Sequence, residues 1–308
     1  MTAPGRVPTF DSVSWTPDLV GANLPRSLHG VGTIHVRAFM NWIPALLPAL
    51  FVASGALAAT GLKAGGLSEF QVELPTELRL LAGRGHLSPV MHALVTIAVP
   101  TNFDTGRDWP VMVISATSDP QYHSSRRLLG AYADAAIKDG WILVAADPAE
   151  SVPIEQDDDA LRYALNTAAL AALALQWPEA GKALLAFGGF SGGAKYSGWL
   201  AAAFASQGRK IIGIYLAGIN QDTVVSAARQ FKVLDETFRG IPIFLQSGEK
   251  DEIATPADHR GVHDELKREG FRRIRVEYFR GPHVVDAGPL RTALDWFREL
   301  AAETGRSQ

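Results

Sequence analysis

In Gly189-Phe190-Ser191-Gly192-Gly193 a hydroxyl stands between glycines two residues before and two residues after it. An apolar run over 183–187 precedes the string, and a helical pattern over 195–205 follows it. A serine at such a strand-to-helix turn is lifted above the carboxyl end of a sheet, in a bend that only small neighbours permit. That geometry suits a nucleophile. Phosphate-binding readings fare worse: no lysine directly follows Gly193, as a Walker A loop requires, and the glycine spacing is not that of a dinucleotide-binding turn.

A serine hydroxyl is a weak nucleophile until a base removes its proton and an acid orients that base. In a strand-turn-helix setting the order along the chain is serine, acid, histidine. His283, in Arg280-Gly281-Pro282-His283 directly after the apolar-alternating run 273–279, is the expected base. Asp251, in Gly248-Glu249-Lys250-Asp251-Glu252 after the run 241–246, is the expected acid. Glu249 and Glu252 compete with it, a solvated acidic turn is the plain alternative, and Asp286 would have to fold back. The tetrahedral intermediate needs two backbone N–H donors. Gly192 would supply one, and Thr117 or Ser118, after the run 111–115, the other.

Two further histidines, His259 and His263, are four apart on a helical pattern. They could share a metal, but no third ligand is implied, so a solvated helix face is expected. Lys195 is expected to pack or pair in the first turn of its helix. No metal and no organic cofactor is called for by this chemistry.

Elements must hold these residues in place. From about residue 68 short apolar runs alternate with helical patterns, which reads as α/β layering around a mostly parallel sheet with helices on both faces. Strands are expected over 70–74 and 92–99, antiparallel to each other, then over 111–115, 141–146, 183–187, 211–217, 241–246 and 273–279. Helices are expected over 125–138, 158–175, 195–205, 258–269 and 289–302. The alternation of Ile274, Val276 and Tyr278 with Arg273, Arg275 and Glu277 wets one face of the last strand and places it near an edge. Only two dozen residues separate the runs ending at 217 and beginning at 241, too few for a large lid domain.

A net charge of −3 with scattered basic residues lacks the positive field that a nucleic acid requires. The absence of cysteine excludes disulfides, thiolate metal sites and a cysteine nucleophile. No charged residue occurs over 38–62, and Ala56-Leu57-Ala58 fits a signal-peptidase pattern. Residues 40–58 therefore read as a signal peptide, with an uncleaved membrane anchor over 42–58 as the alternative. Residues 1–39 read as a disordered or non-native extension ahead of a start at Met40. A secreted or periplasmic protein follows, membrane-bound only if the apolar run is retained.

Over residues 68–302 the chain resembles the α/β-hydrolase superfamily, on the string 189–193 with Asp251 and His283. Within it, secreted feruloyl-esterase-like and polyhydroxybutyrate-depolymerase-like esterases are similar. The resemblance implies a catalytic domain over 68–302 that cleaves a small or polymeric carboxylic ester through an acyl-enzyme. A peptidase of the same fold is the enzymatic alternative. Many such esterases carry His-Gly after the third strand, where Ala116-Thr117 stand here. That departure also suggests a noncatalytic binding protein on the same fold.

Overall fold

The computed structural model describes residues 61–83, 89–116, 124–153 and 156–306. The expected signal or anchor, the extension before it, and both Thr117 and Ser118 lie outside the described residues.

Eight strands form one sheet: β1 (Leu67–Glu73), β2 (His92–Ala98), β3 (Val111–Ser115), β4 (Ile142–Pro148), β5 (Leu185–Phe190), β6 (Ile211–Ala217), β7 (Ile243–Gly248) and β8 (Ile274–Phe279). Their order across the sheet is β1-β2-β4-β3-β5-β6-β7-β8. The β2 strand is antiparallel to both β1 and β4, and every other pairing is parallel. The expected edge position of the last strand is observed, since β8 ends the sheet.

The helices are α1 (Thr76–Ala82), α2 (Ser125–Ile137), α3 (Asp159–Gln176), α4 (Gly192–Ala205), α5 (Val224–Gln230), α6 (Glu236–Arg239), α7 (Pro256–Arg268) and α8 (Gly288–Arg306). Side chains alternate across a strand, so each central strand feeds two cores. On one face Met112, Ile114, Leu143, Tyr215 and Phe244 pack with Leu128, Leu129 and Tyr132 of α2 and Leu294 and Phe297 of α8. On the other, Phe187 meets Phe204 of α4, which in turn meets Tyr163 of α3. Helices thus cover both faces. Between β6 and β7 the chain makes only the short α5 and α6, and no large lid domain is inserted there.

A helix, α1, joins β1 to β2, with Leu78, Leu81 and Ala82 buried on its inner side. One expectation is corrected. The strand expected over 183–187 runs instead from Leu185 to Phe190. Its two glycines are paired with β3 at Ile114 and Ser115 and continue the ladder rather than break it. Among the described residues no helix is long and apolar enough to cross a membrane.

Candidate active site

The carboxyl ends of the parallel strands converge on Ser191. It sits between β5 and α4 with φ 55° and ψ −119°, one of two non-glycine residues with positive φ among those described. Such a conformation costs an L-residue about 1–3 kcal/mol and persists only where its surroundings over-determine it. Here they do. The Ser191 N–H donates to the Ala217 carbonyl at 2.8 Å, and no room exists for larger neighbours. A Cβ on Gly189 would stand 2.5 Å from the Gly193 carbonyl oxygen, and one on Gly193 would stand 2.1 Å from the Ser115 carbonyl oxygen. Both glycines are therefore needed for close backbone approach. The Ser191 side chain makes no capping bond to α4, whose first residue is Gly192.

The acid and the base expected from the sequence are brought together. His283 Nδ1 and Asp251 Oδ2 are 2.7 Å apart, and their side chains are 7% and 1% exposed. The other carboxylate oxygen, Oδ1, accepts from Ile253 N at 2.9 Å and Ala254 N at 2.7 Å. Both oxygens are thus fixed, one by the backbone and one by the imidazole. The ring of Phe190, next to Ser191, lies 4.6 Å from the imidazole. Gly218, next to the residue that accepts the Ser191 N–H, lies under it: a Cβ there would be 2.9 Å from His283 Cε1. The His283 loop is fastened to the acid turn, with Glu249 N donating to Phe279 O and Lys250 N to Gly281 O.

The competing carboxylates part from the site. Glu249 and Glu252 are exposed, while Asp286 accepts from Gly288 N at 2.9 Å. The Lys195 carbonyl accepts from Thr223 Oγ1.

For His259 the solvated-face expectation is wrong. It is fully buried, on the inner stripe of α7 with Val262 and Leu266. Neither ring nitrogen has a hydrogen-bond partner. Burial drives its pKa down to about 4, against the pull of Asp251 and Asp258. His263, one turn on, is half-buried, with its Nδ1 3.0 Å from Oδ1 of its neighbour Asp264. A histidine with pKa about 4 when folded and about 6.5 when unfolded takes up its proton more readily in the unfolded chain. Its contribution is fully present above pH 6.5 and lost as pH falls towards 4, an acid-side loss of about 3 kcal/mol. Denaturant unfolding of wild type and His259→Leu at pH 7 and pH 4 should therefore show near-equal stability at pH 7, since the orphaned imidazole contributes no bond, and a clear advantage for the variant at pH 4.

Sequence reasoning missed a second cluster. Arg162, in the first turn of α3, is 2% exposed. Its Nε and Nη2 bind the Asp157 carboxylate at 2.5 and 2.6 Å, and Nη1 reaches Ser125 Oγ at 3.0 Å and Asp147 Oδ1 at 3.3 Å. Burial opposes its charge, but the hydrogen bond to Asp157 and the charges of Asp157 and Asp147 outweigh it and hold its pKa above the ordinary value. The only hint in the sequence was the acidic run Asp157-Asp158-Asp159 just before the helix. Among the described residues no group of three or more His, Cys, Asp or Glu side chains is arranged to hold a metal ion.

No family model and no curated protein matches the chain in sequence. Solved structures do share its fold. A cold-adapted esterase from an Arctic intertidal metagenomic library superposes with a TM-score of 0.50 at 14% identity, over 76% of this chain and 92% of that one. A lidless α/β serine hydrolase from Xanthomonas campestris is 16% identical over 80% of this chain and 97% of that one, with a TM-score of 0.47. An α/β serine hydrolase homologue from Coxiella burnetii is 14% identical over 79% and 99% of the two chains, with a TM-score of 0.49. At such identities the likeness concerns the fold, which is that of the α/β hydrolases.

Proposed function

We propose that the protein is a serine hydrolase that cleaves a carboxylic ester through an acyl-enzyme. The observation that carries this reading is the buried 2.7 Å pair of His283 and Asp251, packed against the ring beside the strained Ser191. A buried carboxylate on Nδ1 selects the tautomer whose Nε2 is free to accept a proton. Ser191 then attacks the ester carbonyl while His283 takes the hydroxyl proton. The developing oxyanion is met by the Gly192 N–H and by a second donor, Thr117 or Ser118. Collapse expels the alcohol, which receives the proton from His283. Water, activated by the same imidazole, then releases the acid and restores Ser191. Neither metal nor organic cofactor enters these steps.

The reading includes export, with residues 40–58 as the signal. One experiment addresses both parts. Protein recovered from its native source is treated with a fluorophosphonate, which reacts only with an activated serine, and its intact mass is read. A single adduct mapping to Ser191, on a chain that begins after residue 58, is the expected result. A folded protein that does not label would overturn the hydrolase reading in favour of a binding protein. A labelled chain that retains residues 40–58 would overturn the cleaved signal alone, in favour of an anchor.

A further inference from the structure

We propose that Gln246 is a positioning residue for His283, an inference that rests on the hydrolase reading above. Gln246 lies on β7, ahead of the Asp251 turn, and is 1% exposed. Its Nε2 donates to the Asp286 carbonyl at 3.0 Å, and its Oε1 accepts from the hydroxyl of the fully buried Tyr215 on β6. The direction of both bonds is forced. A carbonyl can only accept, so the amide nitrogen must face Asp286, and the amide oxygen is left to take the tyrosine proton.

His283 stands in the segment that runs from the end of β8 to the start of α8. Ahead of the histidine that segment is held by backbone. Lys250 N donates to Gly281 O at 2.9 Å, and Gly248 packs so closely that a Cβ on it would stand 2.4 Å from that oxygen and 2.6 Å from Pro282 O. Behind the histidine, Val285 and Ala287 rest on the apolar cluster under α2 and α8. Apolar contact has no direction, so it sets how deep the segment lies and not where along the sheet it stops. Among the described residues, the bond from Gln246 to Asp286 is the hydrogen bond that ties the segment after His283 to the sheet.

The backbone of the same residue acts from the other side. Gln246 O accepts from Gly218 N at 2.9 Å, and Gly218 forms the floor under the imidazole, since a Cβ there would lie 2.9 Å from His283 Cε1. Gln246 thus fixes both the surface below the ring and the chain beyond it. Stability alone does not account for the choice of residue. Tyr215 belongs to the apolar cluster that holds Phe244, Leu294 and Phe297, where an apolar pair would fill the space without desolvating an amide and a hydroxyl. A hydrogen bond formed there returns only about 1 kcal/mol net. What a fully satisfied buried network supplies, and apolar side chains do not, is a fixed geometry. His283 must present Nε2 to Ser191, and a displacement of about 1 Å at such a point lowers a rate by about a hundred-fold.

Gln246→Met fills the site without either bond. It is expected to lower kcat on p-nitrophenyl acetate by about ten- to a hundred-fold, with KM within about two-fold, because the lost alignment matters in the transition state and not in substrate binding. Gln246→Asn, one methylene too short to reach both partners, takes its place should the methionine variant not fold, and should show the same fall. Gln246→Glu is the rescue. Burial raises the pKa of a carboxyl and keeps it protonated at pH 6, where one oxygen can donate to Asp286 O and the other accept from Tyr215, so most of the lost kcat should return at that pH. A network that only stabilised the fold would lower Tm and leave the kcat of folded protein unchanged. Fluorophosphonate labelling of the wild type separates the two readings. A wild type that labels and hydrolyses, beside a folded methionine or asparagine variant with unchanged kcat, overturns the positioning role alone. A glutamate variant no more active at pH 6 than those variants overturns it as well. A folded wild type that neither labels nor hydrolyses overturns both.

Discussion

Replacing Ser191 by glycine is expected to abolish ester turnover and at the same time to make the protein harder to unfold. The loss is chemical: without the hydroxyl no acyl-enzyme forms, and kcat should fall by about 10⁶-fold, as it does when a hydrolase nucleophile is removed. The gain is conformational. At φ 55° and ψ −119° an L-residue carries about 1–3 kcal/mol of strain, which glycine does not. Glycine also frees the unfolded chain, which takes back roughly 1 kcal/mol. The net gain is on the order of 1 kcal/mol, a rise in Tm of about 2–4 °C for a chain of this size. Ser191→Ala makes the comparison decisive. Alanine removes the hydroxyl but keeps its Cβ, so it should lose turnover equally and gain no stability. A glycine variant that melts at or below the alanine variant would mean that the bend stores no strain. Retained turnover in either would place the nucleophile elsewhere.

The strain also explains which features could be read in advance. Gly189 and Gly193 are tied to the bend by sterics, so the pentapeptide carries its own structural reason, and runs such as 111–115 and 211–217 are apolar because both faces of β3 and β6 are covered. Other features depend on neighbours distant in sequence. The glycines of β5 look like a strand break, yet Gly188 lies against Met112 and Tyr215, where a side chain would not fit, and the ladder passes through it. Arg162 is not singled out by its own segment. Every residue from Leu161 to Leu170 is buried, so α3 has no polar face there to show which way the guanidinium points. His259 misled for the opposite reason. Its helix is strongly amphipathic, but a histidine at spacing four from another suggests a wet pair, whereas Val262 and Leu266 set the buried stripe. Residue type and local spacing identify groups that make their own geometry, and miss groups whose environment is made by others.

Asp251 tests whether the imidazole is oriented as the mechanism requires. In Asp251→Asn the amide oxygen should keep the place of Oδ1, where Ile253 N and Ala254 N already donate. The amide nitrogen then takes the place of Oδ2, 2.7 Å from His283 Nδ1. There a carboxylate accepts, whereas an amide N–H₂ can only donate. His283 must answer with an unprotonated Nδ1, which moves its proton to Nε2, the nitrogen that should receive the proton of Ser191. The expected outcome is a fall in kcat of about 10⁴-fold near neutral pH with little change in Tm. Asp251→Ala separates orientation from stability. It should lose activity comparably but also melt earlier, because the buried Ala254 N–H is left without an acceptor at about 1–3 kcal/mol, and the part-buried Ile253 N–H loses its acceptor too. An asparagine variant within ten-fold of wild type would mean that the tautomer is set by something other than Asp251, and the exposed Glu249 and Glu252 would have to be examined for a state in which one turns inward.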